Sequence, residues 1–384
     1  MRSTHILIAL TIIGIFSTCE TEIDITADGD NLPVVYGLLD PSASEQIFLI
    51  NRTFLGNINA LEIVTEEDSM LYEEVTGALE WYNANGTLVG SAPLQDTILQ
   101  DKDLDGIFYA PTAKAYYIDS EDIWNNWPDM NDSQYFDYVY RLNVTADGKS
   151  ITSETQMAST YGNGSGAIEQ PIPGINSGIQ LVQTFNPDGS TYNSNFRVVW
   201  NAGTNDVRNA IKQKIDVRFN YTEVYTDGSS AEKSVTFPIV TKDIDFPGQE
   251  VDEARNGSIF FERIANAIEA AGTPDDLRYR AIGTFDFILT VAGEDLTTYL
   301  NIGDNQVTAV GQSRPTFSNI NEGEGIGIFS TRDIYVREKP LYTDGNENDL
   351  REMVDGQYTR ELCFCDPTGE STEYTCADSN NWCQ

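Results

Sequence analysis

Histidine is nearly missing from this chain. Its 384 residues include one, His5, and that residue lies in an apolar leader at the N-terminus. Without the leader none remains, which excludes a Ser-His-Asp triad, a Cys-His pair and every His-ligated zinc or iron site. General-base catalysis by imidazole goes with them. Positive charge is scarce too: 23 Lys and Arg face 60 Asp and Glu, a formal net charge of −37. A surface of that sign repels phosphates and anionic head groups, so nucleic acid is excluded as a partner. Long apolar runs are absent after Phe16. A helix that spans a bilayer needs roughly 20 apolar residues, and the run from His5 to Phe16 falls short of that. Cysteine is sparse, at five residues, with four of them beyond residue 360.

The leader itself is informative. Arg2 supplies a basic start, His5 to Phe16 an apolar core, and Ser17-Thr18 the small residues before Cys19. That order is a secretory signal peptide, residues 1–18. A cysteine directly after two small residues resembles the lipobox of bacterial lipoproteins, in which the cysteine is lipidated and becomes the mature first residue. The resemblance implies lipidation at Cys19 and membrane contact through acyl chains rather than through charge. Glu20, Glu22 and Asp24 follow at once. Acidic residues there resemble the surface-export signal of Bacteroidota lipoproteins, with a solvated acidic tether as the alternative. The implied location is the outer membrane, facing the cell exterior.

The rest of the chain carries a period of two. Leu32–Leu39 and Gln46–Ile50 are apolar strand runs joined by Asp40-Pro41-Ser42 turn chemistry. Gly77–Tyr82 and Thr87–Val89 flank Asn85-Gly86, a tight-hairpin signal. Tyr138, Tyr140, Leu142 and Val144 alternate with Val139, Arg141, Asn143 and Thr145; Ile215, Val217, Phe219 and Tyr221 alternate with Asp216, Arg218 and Asn220; Phe285, Phe287, Leu289 and Val291 make another alternating strand. One helix is predicted, capped by Ser258, with Phe260, Phe261, Ile264, Ala265 and Ile268 on one face and Gly272 at its end; Glu294–Leu300 reads as a short helical turn. Short strands with one helix predict an all-β chain of two immunoglobulin/fibronectin-like β-sandwich domains, the second with one inserted helix. The expected organisation is an acidic lipoprotein tether at 19–31 and an N-terminal sandwich at 32–158. A Gly/Pro-rich linker at 159–178, a C-terminal sandwich at 179–345 and a Cys-containing tail at 346–384 follow.

One segment carries a family resemblance. Ser318-Asn319-Ile320-Asn321-Glu322-Gly323-Glu324-Gly325-Ile326-Gly327-Ile328-Phe329-Ser330-Thr331-Arg332 resembles the late signature of a Bacteroidota outer-membrane lipoprotein family known only as a domain of unknown function. That family's usual pattern is Ser/Thr-Asn-Ile-Glu-Asn-Gly-x-Gly-Ile-Phe-x-Ser-Arg; Asn321 replaces its Glu, and Glu324-Gly325 add length. Phe260-Phe261, Arg278–Phe287, Gly293–Tyr299 and Val34-Val35-Tyr36-Gly37 are also similar to it. Members are often encoded beside TonB-dependent transporters. The resemblance implies an outer-membrane β-barrel partner, either such a transporter or an assembly machine, together with other lipoproteins. It implies no catalytic residue. Gly323, Gly325 and Gly327 are read as turns and close backbone contacts.

Three groups of residues remain as candidate sites. Cys363, Cys365, Cys376 and Cys383 predict two disulfides with three connectivities open, Cys363–Cys365 being the least comfortable; a Cys-only zinc site has the same count. Asp101, Asp103 and Asp105, followed by Gly106, have calcium-loop spacing, but Thr112 stands at the twelfth position where an EF-hand needs Glu. An acidic β-turn is the alternative, and no cofactor is required. Trp124, Trp127, Tyr135 and Phe136 among acids suit either a sugar- or partner-binding surface or a loop packing its rings onto the sandwich. The function expected from all this is a non-catalytic accessory or binding subunit of a TonB-dependent transporter system. The alternatives are a subunit of an outer-membrane assembly or secretion machine, and a carbohydrate-acting enzyme using a carboxylate pair.

Overall fold

A computed structural model describes residues 31–53, 65, 70–100, 112–125, 127, 133–160, 168–171, 178–186, 190–201, 209–245, 249–304, 317–321, 324–341, 347–369, 371, 373–378 and 382–383. The chain is mostly β, in several sheets, with a tail closed by two disulfides. In the first half the elements are β1 (Pro33–Leu39), β2 (Glu45–Arg52), β3 (Val75–Tyr82), β4 (Leu88–Pro93), β5 (Gln95–Leu99), β6 (Ala113–Asp119), α1 (Ser120–Ile123), β7 (Val139–Ala146) and β8 (Lys149–Gln156). Next come β9 (Ile168–Gln170), β10 (Val182–Phe185), β11 (Thr191–Asn193), β12 (Asn195–Asn201), β13 (Lys212–Tyr225), β14 (Ser230–Asp243) and β15 (Glu250–Asn256). The chain then forms α2 (Ser258–Ala271), β16 (Leu277–Ala292), α3 (Glu294–Asp304), β17 (Ile326–Lys339), α4 (Asn348–Asp355) and β18 (Phe364–Cys365).

Alternation set most of these strands. In β7 the apolar partners Tyr140, Leu142 and Val144 point into a core shared with Leu79 and Trp81 of β3 and Val35, Phe48, Tyr116 and Ile118 of β1, β2 and β6. The four-stranded sheet β4-β3-β7-β8 therefore packs on one end of a nine-stranded sheet. A second core joins Ile215, Val217, Phe219 and Tyr221 of β13 to Phe285, Phe287 and Leu289 of β16, Trp200 of β12 and the apolar face of α2. The hairpin β13–β14 turns at Asp227-Gly228, where Asp227 Oδ1 accepts from the Ser229 amide at 2.8 Å.

Some expectations need correction. Helix α2 begins at Ser258, but Ser258 does not cap it: Asn256 Oδ1 accepts the Ser258 amide at 2.9 Å and steadies the first turn. Gly272 does end it, at φ 83°, with its amide bonded to the Ile268 carbonyl. The second half holds more than one helix, since Glu294 onward forms α3 through Asp304 and the tail adds α4. The expected linker contributes strand β9, which pairs with β12.

The chain builds two cores, but their residues cross the expected boundary at 159–178, and the two halves share one sheet. Strand β17 belongs to both. Its first half runs parallel to β1, from Ile326 opposite Val34 to Thr331 opposite Leu39. Its second half runs antiparallel to β16, from Arg332 opposite Ala292 to Lys339 opposite Phe285. The strand order β14-β13-β16-β17-β1-β2-β6-β5 is continuous as a result. Phe329 enters the first core while the preceding strand β16 lines the second. The parallel half depends on a close approach. Gly327 has φ 126°, and a Cβ there would lie 1.9 Å from the Val35 carbonyl oxygen. No L side chain fits without separating β17 from β1.

The tail is part of the second core. Met353, Leu362 and Phe364 are buried in it, and β18 pairs in parallel with β16, Phe364 opposite Arg280. The bridges are nested, Cys363–Cys383 outside and Cys365–Cys376 inside. Cross-links closing loops of this size contribute about 3 kcal/mol each in chain-entropy terms.

Two outcomes follow for the fold. Gly327→Ala lowers stability by at least ~3 kcal/mol in chemical denaturation, because strained backbone and a steric collision combine. Gly86→Ala, at φ 74° with open space around it, costs only about 1–2 kcal/mol; equal losses would contradict the close-approach argument. In graded reduction with alkylation read by mass spectrometry, Cys363 and Cys383 are modified before Cys365, which is fully buried; the reverse order contradicts the packing described.

Candidate functional site

Described residues of the 318–333 segment bond to several separate elements of the fold. Ser318 Oγ accepts the Gly327 amide at 3.2 Å and so closes the loop ahead of β17. Asn319 Oδ1 accepts the Phe329 amide at 2.9 Å, while its Nδ2 donates to the Phe329 carbonyl at 2.7 Å and to Asp295 at 2.9 Å. Asn321 plays the part of a strand partner for β8: its amide donates to the Thr152 carbonyl, and its Oδ1 accepts the Thr152 amide at 3.0 Å. Ser153 Oγ donates to the Asn319 carbonyl at 2.8 Å. The edge of β8, which would otherwise expose a row of unpaired backbone groups, is covered in this way. Ser330 Oγ accepts the Leu296 amide of α3, and Thr331 Oγ1 accepts the Ala158 amide at 2.8 Å. The segment thus ties β8, β17 and α3 together.

Two carboxylates close the joint. Asp333 is buried and accepts from the Thr160 amide at 2.6 Å, the Thr160 hydroxyl at 2.8 Å and the Ile334 amide at 2.8 Å. Burial pushes its carboxyl up to about 6, opposed by the Thr160 hydrogen bonds and reinforced by the negative charge of Asp40. Asp40 accepts from Arg332 Nε at 2.7 Å and from the Ser42 amide and hydroxyl at 2.9 and 2.5 Å. Gln46 then holds the Asp40 backbone on both sides and reaches Ser120 at 2.8 Å. An acid pair of this kind can act in catalysis only if one oxygen faces a substrate. Here the named oxygens accept hydrogen bonds from the chain itself, which suits a structural clasp.

Other buried acids do the same. Glu223 and Arg280 form an ion pair of 3.1 Å inside the second core, and Arg280 Nη1 donates to the Leu362 carbonyl at 2.8 Å. Asp349 in α4 accepts the Leu181 and Val182 amides at 2.7 and 2.8 Å. Glu352 accepts from the Thr191 hydroxyl at 2.7 Å, and burial raises its carboxyl above the ordinary range. These hooks fasten the tail to the sheets.

The sequence-predicted sites fall out differently. Trp124, Tyr135 and Phe136 are buried in the first core and do not form an exposed binding surface. Trp124 Nε1 donates to the Tyr140 hydroxyl at 3.0 Å, and that hydroxyl donates to the Tyr135 carbonyl at 2.9 Å. Trp127 is half-buried and donates to the Pro41 carbonyl at 3.0 Å. Both indole N–H groups find an acceptor within the fold, so the tryptophan rings turn inward without stranding a donor. The four tail cysteines are all bridged, so their thiolates are not zinc ligands. Cys19, Glu20, Glu22 and Asp24 lie outside the described residues, as do Asp101, Asp103, Asp105 and Gly323. Among the described residues no group of three or more His, Cys, Asp or Glu could hold a metal ion. Gly325 and Gly327 are close backbone contacts, against Pro33 and Val35.

Asp333 supplies a pH prediction. Its folded-state pKa lies above that of an unfolded Asp, so the native state binds the extra proton and loses stability as pH rises from about 4 through 6. The stability difference between the natural protein and Asp333→Asn therefore shifts by roughly 2 kcal/mol between pH 4 and pH 7, the natural protein gaining on acidification. Denaturant titrations at the two pH values check this; a constant difference contradicts the burial argument.

The sequence matches no family model, and no curated protein is significantly similar to it.

Proposed function

We propose that this chain is a non-catalytic, surface-exposed outer-membrane lipoprotein that serves a TonB-dependent transporter system as an accessory or binding subunit. The observation that carries the reading is the N-terminal order of basic residue, short apolar run, Ser17-Thr18, Cys19 and then Glu20, Glu22 and Asp24. The likeness of residues 318–332 to a transporter-associated lipoprotein family supports the partner class. The non-catalytic assignment is favoured by the chemistry available: no histidine after His5, and buried acids engaged in holding strands and tail together. We also propose that the sheets around each core pair in an immunoglobulin/fibronectin-like manner.

Cys19→Ala shifts the protein from the membrane fraction to the soluble fraction in cell fractionation; unchanged membrane retention contradicts the anchor. Purification of the tagged native protein in mild detergent, followed by mass spectrometry, recovers a transporter barrel in near-stoichiometric amount. Recovery of an assembly or secretion barrel without a transporter would replace the proposed partner.

A further inference from the structure

The chain contains three Asn-Gly pairs, Asn85-Gly86, Asn163-Gly164 and Asn256-Gly257. Such a pair carries its own chemistry. The glycine amide gives its proton to a water-derived base, and its nitrogen attacks the side-chain carbonyl carbon of the asparagine. A nitrogen–carbon bond forms, the carbon–Nδ2 bond breaks, and ammonia leaves, taking up the proton. Water then opens the cyclic imide at either carbonyl, giving Asp or isoaspartate. Glycine permits the attack because it has no side chain in the way and few backbone restrictions. What decides the outcome at each pair is how much structure must open before the nitrogen reaches the carbonyl. Asn163-Gly164 lies outside the described residues, and the other two pairs differ sharply.

Asn85 and Gly86 are both exposed, at the tip of the β3–β4 hairpin. The Asn85 amide donates to Asn83 Oδ1 at 3.0 Å, while its carboxamide meets no partner among the described residues. The Gly86 amide donates to the Asn83 carbonyl at 2.8 Å, and the Thr87 amide to Asn83 Oδ1 at 3.0 Å. These bonds stay within residues 83–87, and a Cβ at Gly86 would meet nothing within 4 Å. The turn can therefore open without disturbing the core. Asn256-Gly257 is tied into the fold instead. Asn256 Oδ1 accepts the Ser258 amide at 2.9 Å, and the Gly257 amide donates to the Ser194 carbonyl at 2.9 Å. Gly257 is buried, and a Cβ there would lie 2.0 Å from the Leu181 carbonyl oxygen. Ring closure at this pair requires the end of the β12–β15 ladder, where Asn195 stands opposite Asn256, to separate from the first turn of α2.

We infer that Asn85 is a site of spontaneous deamidation, and that the fold directs this modification to the β3–β4 turn while protecting Asn256. The product adds a negative charge at the hairpin tip. Its isoaspartyl form also carries an extra backbone carbon between the groups that close the turn, beside β4, an edge strand paired with β3. The test incubates the full chain, disulfides intact, in mildly alkaline buffer. After digestion each Asn-Gly peptide is followed by mass spectrometry, with electron-based fragmentation to tell Asp from isoaspartate. The acid products accumulate at least ~10-fold faster at Asn85 than at Asn256, the ratio that a difference of about 1.4 kcal/mol in opening free energy produces. In the reduced chain held in denaturant the two rates converge, because the fold no longer separates the sites. Equal rates at the two sites in the folded chain overturn the inference. So does an Asn85 that stays intact in the folded chain over the period in which the denatured chain is converted.

Discussion

The structure depends on a single strand being shared. Strand β17 pairs in parallel with the first strand of the chain through its first half and antiparallel with β16 through its second. The parallel half is possible because Gly327 has no side chain, which lets the strand lie against the Val35 carbonyl. Strand β16 extends beyond the antiparallel half, and there the tail strand β18 pairs with it. Remove the shared strand and two separate cores remain, each with an open sheet edge. The segment that runs from Ser318 into β17 makes sense in these terms. Its serine and asparagines hold that strand and the β8 edge in place, and its glycines allow the close approach.

Acidic residues do much of the remaining work. The surface acids give the chain its large negative charge, but the buried ones are hooks. Asp333 takes the segment after β8, Asp40 takes Arg332, Asp349 takes the Leu181 and Val182 amides where β10 begins, and Glu223 takes Arg280 beside the tail. Desolvation makes each such acid costly, and several directed hydrogen bonds offset the cost. Breaking one side of the buried Glu223–Arg280 pair is expected to cost about 3–5 kcal/mol, since the other charge stays inside. The disulfides work alongside these hooks, holding Phe364 where it completes the second core.

Local pattern made much of this visible in the sequence. The alternation at Tyr140–Val144, Ile215–Tyr221 and Phe285–Val291 announced strands and named their buried faces, because a half-buried strand has a side-chain period of two. Gly272 announced a helix end for the same kind of local reason. The sharing of β17 was not legible. A strand that changes partners midway looks like any other run, and its parallel neighbour is almost three hundred residues away in the chain. The aromatic group at Trp124–Phe136 misled because rings among acids look alike whether they face solvent or core. What decided between the two was the Tyr140 hydroxyl, supplied by a strand whose position only the fold reveals. Asp333 and Thr160 carry no local signal for the same reason, and the Asn-Ile-Asn at 319–321 shows nothing in sequence of the edge it covers.

The measurement closest to the central claim is native-state hydrogen exchange on the full chain, followed at the amides of β1 and β7 in one core and β13 and β16 in the other. A shared strand makes the cores a single cooperative unit. The slowest amides of both cores then open with the same free energy and respond equally to denaturant. Opening of the first core at a distinctly lower free energy, with the second left protected, would contradict the shared-strand account.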